Sequence, residues 1–412
     1  MKLKDLPQNI KLRLITSFFN RMAFNAVMPF IALFFAHEVN KVFAGSLLLL
    51  SVGINFATNL VGGYIADRFR RKKVLLLTSF TTFALLLLMT LCLIPNKRLI
   101  WLFTALYLIY VISSNLGRPA MQAIILDSTT AENRKAVFAI DYWLLNLSIS
   151  FGAILGGLLY MNHQIMLFSF LTLTTVFIAI AYLIWLQDDS VPTIEKQHDN
   201  ILLDLISNYK TALMDHRFVK LTLGMMFIFS AEFSLSSYIS VRLAETFKSV
   251  KIFGFEIEGV RMFSLLSFEN TLLVVCFTFL VSRWTNTMNN KKSILLGLAV
   301  YGLGYTFLTS SNHFYLLLLF GALATLGELM YSPVFQTEQA NCIPPDKRGS
   351  YLAFSGLGFN GASMISSGAL ILGAFLAPWE MSIFIGIIVM SGIALIYSAL
   401  FYTGKIKLVL NR

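Results

Sequence analysis

Apolar blocks of about 20 residues recur along the whole chain, and they constrain its fold more than any short motif does. LLLTSFTTFALLLLMTLCLI, Leu75–Ile94, is representative. As a helix, a block of about 20 residues crosses the roughly 30 Å hydrocarbon core of a bilayer. The strands of membrane barrels alternate apolar and polar residues over about ten positions, and these runs do not alternate. Of the 412 residues, 57% are hydrophobic and only 13% are charged. A soluble domain carries roughly 25% charged residues. The sequence is therefore that of an all-α polytopic membrane protein.

Twelve transmembrane helices are expected, near residues 12–36, 43–66, 73–94, 99–126, 136–160, 165–186, 217–243, 260–282, 292–311, 313–339, 349–376 and 380–402. With both termini on the cytoplasmic side, the inner connections and termini hold about 23 of the 32 Lys and Arg, as the positive-inside rule requires. That rule also accounts for the net charge of +11, which in a soluble domain would suggest nucleic-acid binding. Cys92, Cys276 and Cys342 fall in or at the ends of apolar segments and form no disulfide framework. The first apolar segment runs too long for a signal-peptide core and reads as a retained first helix.

One long connection splits the chain six and six: an N-terminal six-helix bundle over 1–186, a cytoplasmic linker over 187–216, and a C-terminal bundle over 217–412. Leu202, Leu205, Ile206, Tyr209 and Leu213 recur at helical spacing in the linker. They fit an amphipathic helix on the inner membrane surface and an ordinary linker helix equally well. A shift of 214 residues aligns Arg118–Ala139 with Ser332–Ala353 and brings Pro119 onto Pro333, Gln122 onto Gln336, Arg134 onto Arg348 and, further on, Asn146 onto Asn360. Pseudo-symmetric halves of this kind are the build of secondary transporters, with the substrate site near midplane.

Between spans two and three the sequence reads GGYIADRFRRKKVL, with Gly63, Asp67, Arg68, Arg71 and Lys72 in the pattern Gly-x-x-x-Asp-Arg-x-x-Arg-Lys. This resembles the signature loop of the major facilitator superfamily, although Arg70 stands where that family usually has a second Gly. AENRKAVFAIDYW (Ala131–Trp143), FGFEIEGVRM (Phe253–Met262) and TLGELMYSPVFQT (Thr325–Thr337) are similar to the LmrP-type drug/proton antiporters of Lactococcus and its Gram-positive relatives. The resemblance implies the major facilitator fold and proton-driven export of lipophilic, often cationic compounds, with no cofactor beyond the proton gradient. Its implied setting is the plasma membrane, its partners small substrates, protons and lipids, and its working unit a monomer.

Charged residues inside spans are costly, about 2.5–3.5 kcal/mol at the bilayer centre on insertion scales, unless they face a polar interior. Arg21, Arg118, Asp141, Glu232, Glu269 and Glu328 are the candidates. Glu328 lies mid-span in GALATLGELMYSP, where desolvation penalises its charged form. It could hold a proton or a cationic compound, but not readily both, and that competition couples the two. By the resemblance, Glu328 and Asp141 match acidic positions of the related exporters, whereas the relatives' helix-seven acid falls one turn after Glu232, at Ser236. Asp141 begins span five near the cytoplasmic surface, where a relay or structural role competes with substrate contact. Glu269 either widens the acidic character of the interior or pairs with Arg261 two turns earlier. At the offset of 214, Glu328 falls on Ser114, Glu232 on Phe18 and Asp141 on Ser355, so these carboxylates are not duplicated.

Topology explains the basic block after span two, but not the lone Asp67. Paired with Arg68 or Arg71, that carboxylate would serve as a conformational latch, and Asp127 and Arg134 join the same switching set. Gly152, Gly156 and Gly157 resemble an exporter motif without its Pro, and close helix packing is the simpler reading. The 37 Phe, 16 Met and 15 Tyr suit an adaptable apolar site, and also suit lipid-facing surface. All five His read as loop or helix-end residues, with no Walker A, HExxH or nucleophile-elbow pattern. A drug exporter leads. A flippase of an amphiphilic lipid precursor comes second, and a membrane-embedded enzyme is a remote third.

Overall fold

The computed structural model describes residues 6–94, 98–128, 131–187, 212–252, 254–285, 287–344 and 348–401. The linker reading for Leu202–Tyr209 lies outside them, as do the side chains of Gly63, Asp67, Arg68, Asp127 and Arg134.

Among the described residues the chain forms twelve helical rods in the order expected. The first is α1 (Gln8–Val27), a single 3-10 turn at Met28–Phe30, and α2 (Ile31–Glu38). The break falls at Pro29, whose ring removes a backbone donor. Next come α3 (Lys41–Arg68), α4 (Arg71–Leu91), α5 (Ile100–Leu116) with α6 (Arg118–Ser128), α7 (Ala131–Leu159) and α8 (Gln164–Trp185). The second series is α9 (His216–Phe233), a π-helical turn at Leu235–Ile239 and α10 (Ser240–Thr246), then α11 (Gly259–Thr285), α12 (Asn290–Leu308), α13 (Phe314–Asn341), α14 (Arg348–Leu372) and α15 (Pro378–Phe401). Nine rods are long and apolar enough over their described residues to cross a bilayer, and α7 contributes a shorter apolar stretch, Trp143–Leu159. Side chains such as Leu77, Leu173, Phe279 and Met390 stay exposed, as lipid-facing residues do.

A feature the hydropathy pattern does not reveal is the hairpin of β1 (Val250–Ile252) and β2 (Phe255–Ile257), paired antiparallel with Ile252 opposite Phe255. Gly254, at φ 82°, supplies the left-handed residue that a two-residue hairpin turn needs.

The chain divides into two compact units, residues 1–34 with 50–196 and residues 35–49 with 197–412. The first unit buries Leu12, Val74, Met121, Ile178 and Tyr182 together. The second has a larger aromatic core that includes Phe218, Tyr301, Tyr331, Phe335 and Phe354. Residues 35–49, the end of the first rod and the start of the second, group with the second unit: Lys41 Nζ is 2.7 Å from Glu245 Oε2.

Candidate functional site

In the second unit, small residues bring two helices close enough to assemble a polar site. α12 and α13 meet through Gly297, Gly304 and Gly327, and a Cβ at Gly327 would lie 2.6 Å from the Gly297 carbonyl oxygen. Small residues at such contacts let membrane helices approach backbone to backbone. The close approach sets Tyr301 of α12 edge-on to Tyr331 of α13, and Tyr301 also packs on Tyr305 at 4.8 Å between ring centres.

Around these rings stand the carboxylates. Tyr301 Oη donates to the Ile228 carbonyl at 3.1 Å and reaches Glu232 Oε2 at 3.5 Å. Asn270 Nδ2 of α11 donates to Thr325 Oγ1 at 3.0 Å and to Glu328 Oε2 at 3.4 Å. Glu232 and Glu328 lie within electrostatic reach of each other. Both are half-buried, as is Glu269 one residue before Asn270. Glu269 Oε2 is shielded from solvent and accepts no hydrogen bond, and a Cβ at Gly321 would come within 2.8 Å of it. Among the described residues no Lys, Arg or His forms an ion pair with any of the three. Arg261 instead donates to the Glu256 carbonyl, so the alternative of an Arg261–Glu269 pair is not what forms.

Three of the four predicted carboxylates therefore sit in one unit, and their partners Tyr301, Asn270 and Thr325 have no signal of their own in the sequence. Tyr301 and Thr325 read as ordinary span residues. Asn270 is visible only as a neighbour of Glu269, yet its side chain serves Glu328. The helix carrying Glu232 is also less regular than its periodicity suggests. Ile239 N donates to Ser234 O at 2.8 Å, five residues back, so the chain widens into a π turn immediately beyond Glu232. Such turns recur at functional sites. Ser236, one turn after Glu232, is exposed and bonds the Phe233 carbonyl.

Asp141 belongs to the first unit. It forms a two-pronged pair with Arg21 of α1, Nη1–Oδ1 at 2.9 Å and Nη2–Oδ2 at 3.1 Å, with the side chains 23% and 27% exposed. This is the geometry in which Arg and a carboxylate bond most strongly. Arg21 and Arg118 both line a cavity of about 490 Å³ inside this unit, together with Arg13, Ser17, Tyr110 and Tyr182. Arg13 sits at the start of the first span, where it reads as basic lead-in.

Of the signature-loop residues, Lys72 is placed clearly. Its Nζ donates to the Leu186 carbonyl at 2.8 Å, capping the C-terminal end of α8 with a cation. Arg71 opens α4 and is half-buried. Gly152 and Gly156 are packing positions: added Cβ atoms would lie 2.6 Å from the Met22 carbonyl oxygen and 2.7 Å from that of Ala26, both on α1. The described His residues are at helix ends, and among the described residues no three His, Cys, Asp or Glu gather as a metal site would require.

Solved structures similar to this chain include a POT family transporter in complex with 5-aminolevulinic acid, at TM-score 0.71 and 17% identity, covering 97% of this chain and 99% of that one. At this identity the likeness shows the fold. A Na(+), Li(+), K(+)/H(+) antiporter of Planococcus maritimus is 28% identical over 379 residues, 89% of each chain. The multidrug resistance protein MdtH of Proteus mirabilis is 25% identical over 357 residues, 83% of this chain and 81% of its own. The Major Facilitator Superfamily model matches residues 13–268 and again 221–408. Twelve rods in two similar series, charged side chains within the spans of each unit and a family match along nearly the whole length agree: the chain belongs to the Major Facilitator Superfamily of membrane transporters.

Proposed function

We propose that this transporter is a proton-coupled exporter of lipophilic, cationic compounds, working by alternating access. One observation carries the reading: Glu232 and Glu328 face each other's charge without a basic partner among the described residues. In a medium of low dielectric, two carboxylates at close quarters hold their charge only if a cation joins them. A proton or a cationic substrate meets that need, and the two exclude each other. Proton inflow then drives cation release. Tyr301 and Asn270 hold the two carboxylates in place through neutral donors, which leave the negative charge available. The LmrP-type motifs and the multidrug name of the Proteus relative support the substrate class.

A second reading, exchange of a small monovalent cation for protons, is favoured by the Planococcus relative and needs the same carboxylates. Everted vesicles separate the two. With the vesicle lumen acidified, a lipophilic cationic dye is accumulated in the lumen, and accumulation stops when the gradient is collapsed. Transport that persists after collapse defeats the antiport reading. A proton efflux evoked by Na⁺ or K⁺, with no dye movement, favours the second reading. Movement of labelled lipid alone in proteoliposomes favours a flippase.

A further inference from the structure

The cavity of the first unit is chemically the opposite of the carboxylate cluster. Three arginines, Arg13, Arg21 and Arg118, line it, and among the described residues no carboxylate does. Arg21 is committed to Asp141. Arg13 lies within electrostatic reach of Arg21 and Arg118, both of like sign, and Asp141 is the carboxylate whose field reaches it. Arg13 Nε is shielded from solvent and has no acceptor, and the Ser17 Oγ beside it is likewise unpartnered on a residue only 4% exposed. A guanidinium does not shed its proton in a protein, so it cannot escape this setting by becoming neutral. Arg118 is exposed and Arg13 half-buried, so the cost falls on the shielded Arg13 Nε and Ser17 Oγ: buried polar atoms without hydrogen bonds are rare in native proteins. Two guanidinium groups without an ion pair among the described residues, an idle N–H and an idle hydroxyl around about 490 Å³ make a receptor for an anion of modest size.

We infer that this cavity binds a phosphate or carboxylate group, held by Arg13 and Arg118 with Ser17 as an additional donor. Planar guanidinium donors suit the oxygens of either group. The group could come from a membrane lipid headgroup or from a soluble anion. The inference does not rest on the export reading, because it uses none of Glu232, Glu269 and Glu328.

The test uses the full chain in phosphatidylcholine nanodiscs, with octyl phosphate as the probe and octyltrimethylammonium as the control of opposite sign. Saturable binding of octyl phosphate that excess octyltrimethylammonium does not compete away is the expected result. Arg13→Gln and Arg118→Gln should each weaken it about tenfold or more, the loss expected for a charge-assisted hydrogen bond. Arg13→Lys, which keeps the charge, should lose less, and this rescue guards against a Gln variant that simply misfolds. Competition by phosphatidylglycerol mixed into the disc identifies a lipid source, and competition by inorganic phosphate identifies a soluble one. Absence of octyl phosphate binding to the unaltered chain overturns the inference. Equal affinity in the folded Gln variants does the same.

Discussion

The two halves of this transporter share a scaffold and differ in the sign of the charges gathered at their polar sites. In the first unit the charge lining the cavity is guanidinium, Arg13, Arg21 and Arg118, with Asp141 neutralising one of them. Beside the α12–α13 contact of the second it is carboxylate: Glu232 and Glu328 are held by a tyrosine and an asparagine, and Glu269 faces Gly321. The one fully buried cation described there, Arg242, donates to Asn312 and the Leu308 and Ser311 carbonyls. The polar bridges occupy corresponding rods. In the first half Asn115 of α5 donates to Asn55 of α3. In the second, Asn270 of α11 reaches Glu328 and Thr325 of α13. At the offset of 214, Asn55 falls on Glu269 itself. A neutral amide bridge in one half is thus matched by a bridge beside two acids in the other. Duplication preserved the helices and where they are tied, while the charges diverged. On the proposed reading, the non-duplicated charges are the groups that carry transport.

Four substitutions sharpen or break that contrast. The largest effect is expected from Glu328→Gln, which removes half of the coupled acid pair. Proton-driven uptake of a divalent cationic dye into everted vesicles should fall by roughly thirtyfold, equivalent to ~2 kcal/mol of lost charge pairing. A wild-type rate would remove Glu328 from the mechanism and, with it, the functional half of the comparison.

Asp141→Asn should act on the first unit in a different way, by stability. Arg21 would be left without its counter-ion, at a cost of about 1–3 kcal/mol, since the pair is partly exposed. Thermal unfolding should show this, and the double change Arg21→Gln with Asp141→Asn should recover much of it. Failure of the double variant to recover would mean that Asp141 serves more than the pair.

Gly327→Ala tests whether the acid site depends on helix approach. Its Cβ would meet the α12 backbone at the Gly297 carbonyl, so overpacking of about 1–2 kcal/mol and a loss of transport are expected together. Intact transport in vesicles would separate the site from the α12–α13 contact. Lys72→Gln is the mildest, losing one cap on α8 and under about 1 kcal/mol in the same unfolding assay.

Much of the fold is legible in the order of residues alone. Runs such as Leu75–Ile94 admit only helices in a bilayer, and the repeat around Pro119 and Pro333 predicts the two series of rods. The repeat overstates local likeness, however. Pro119 follows Gly117 and opens a separate helix, α6, whereas Pro333 lies inside the continuous α13. The four carboxylates also stand out in sequence, because charge within an apolar span is conspicuous. Their partners do not: Tyr301 and Thr325 are common span residues, and Arg13 hides among the bases at the start of the first span.

The sequence by itself determined the class of solvent, the number and order of the helices and the residue types that could carry charge through a membrane. These follow from composition and period, which are local properties of the chain. Only the tertiary structure decided that Asp141 belongs to Arg21, while Glu232 and Glu328 meet no basic partner among the described residues. It also decided that Glu269 does not reach Arg261, and that Arg13 lines a cavity instead of a surface. The physical reason is that an ion pair or a hydrogen bond is satisfied or left open by whatever packs against it from another helix. Helix-to-helix register, in turn, is set by contacts such as Gly297 on Gly327 that no single span encodes.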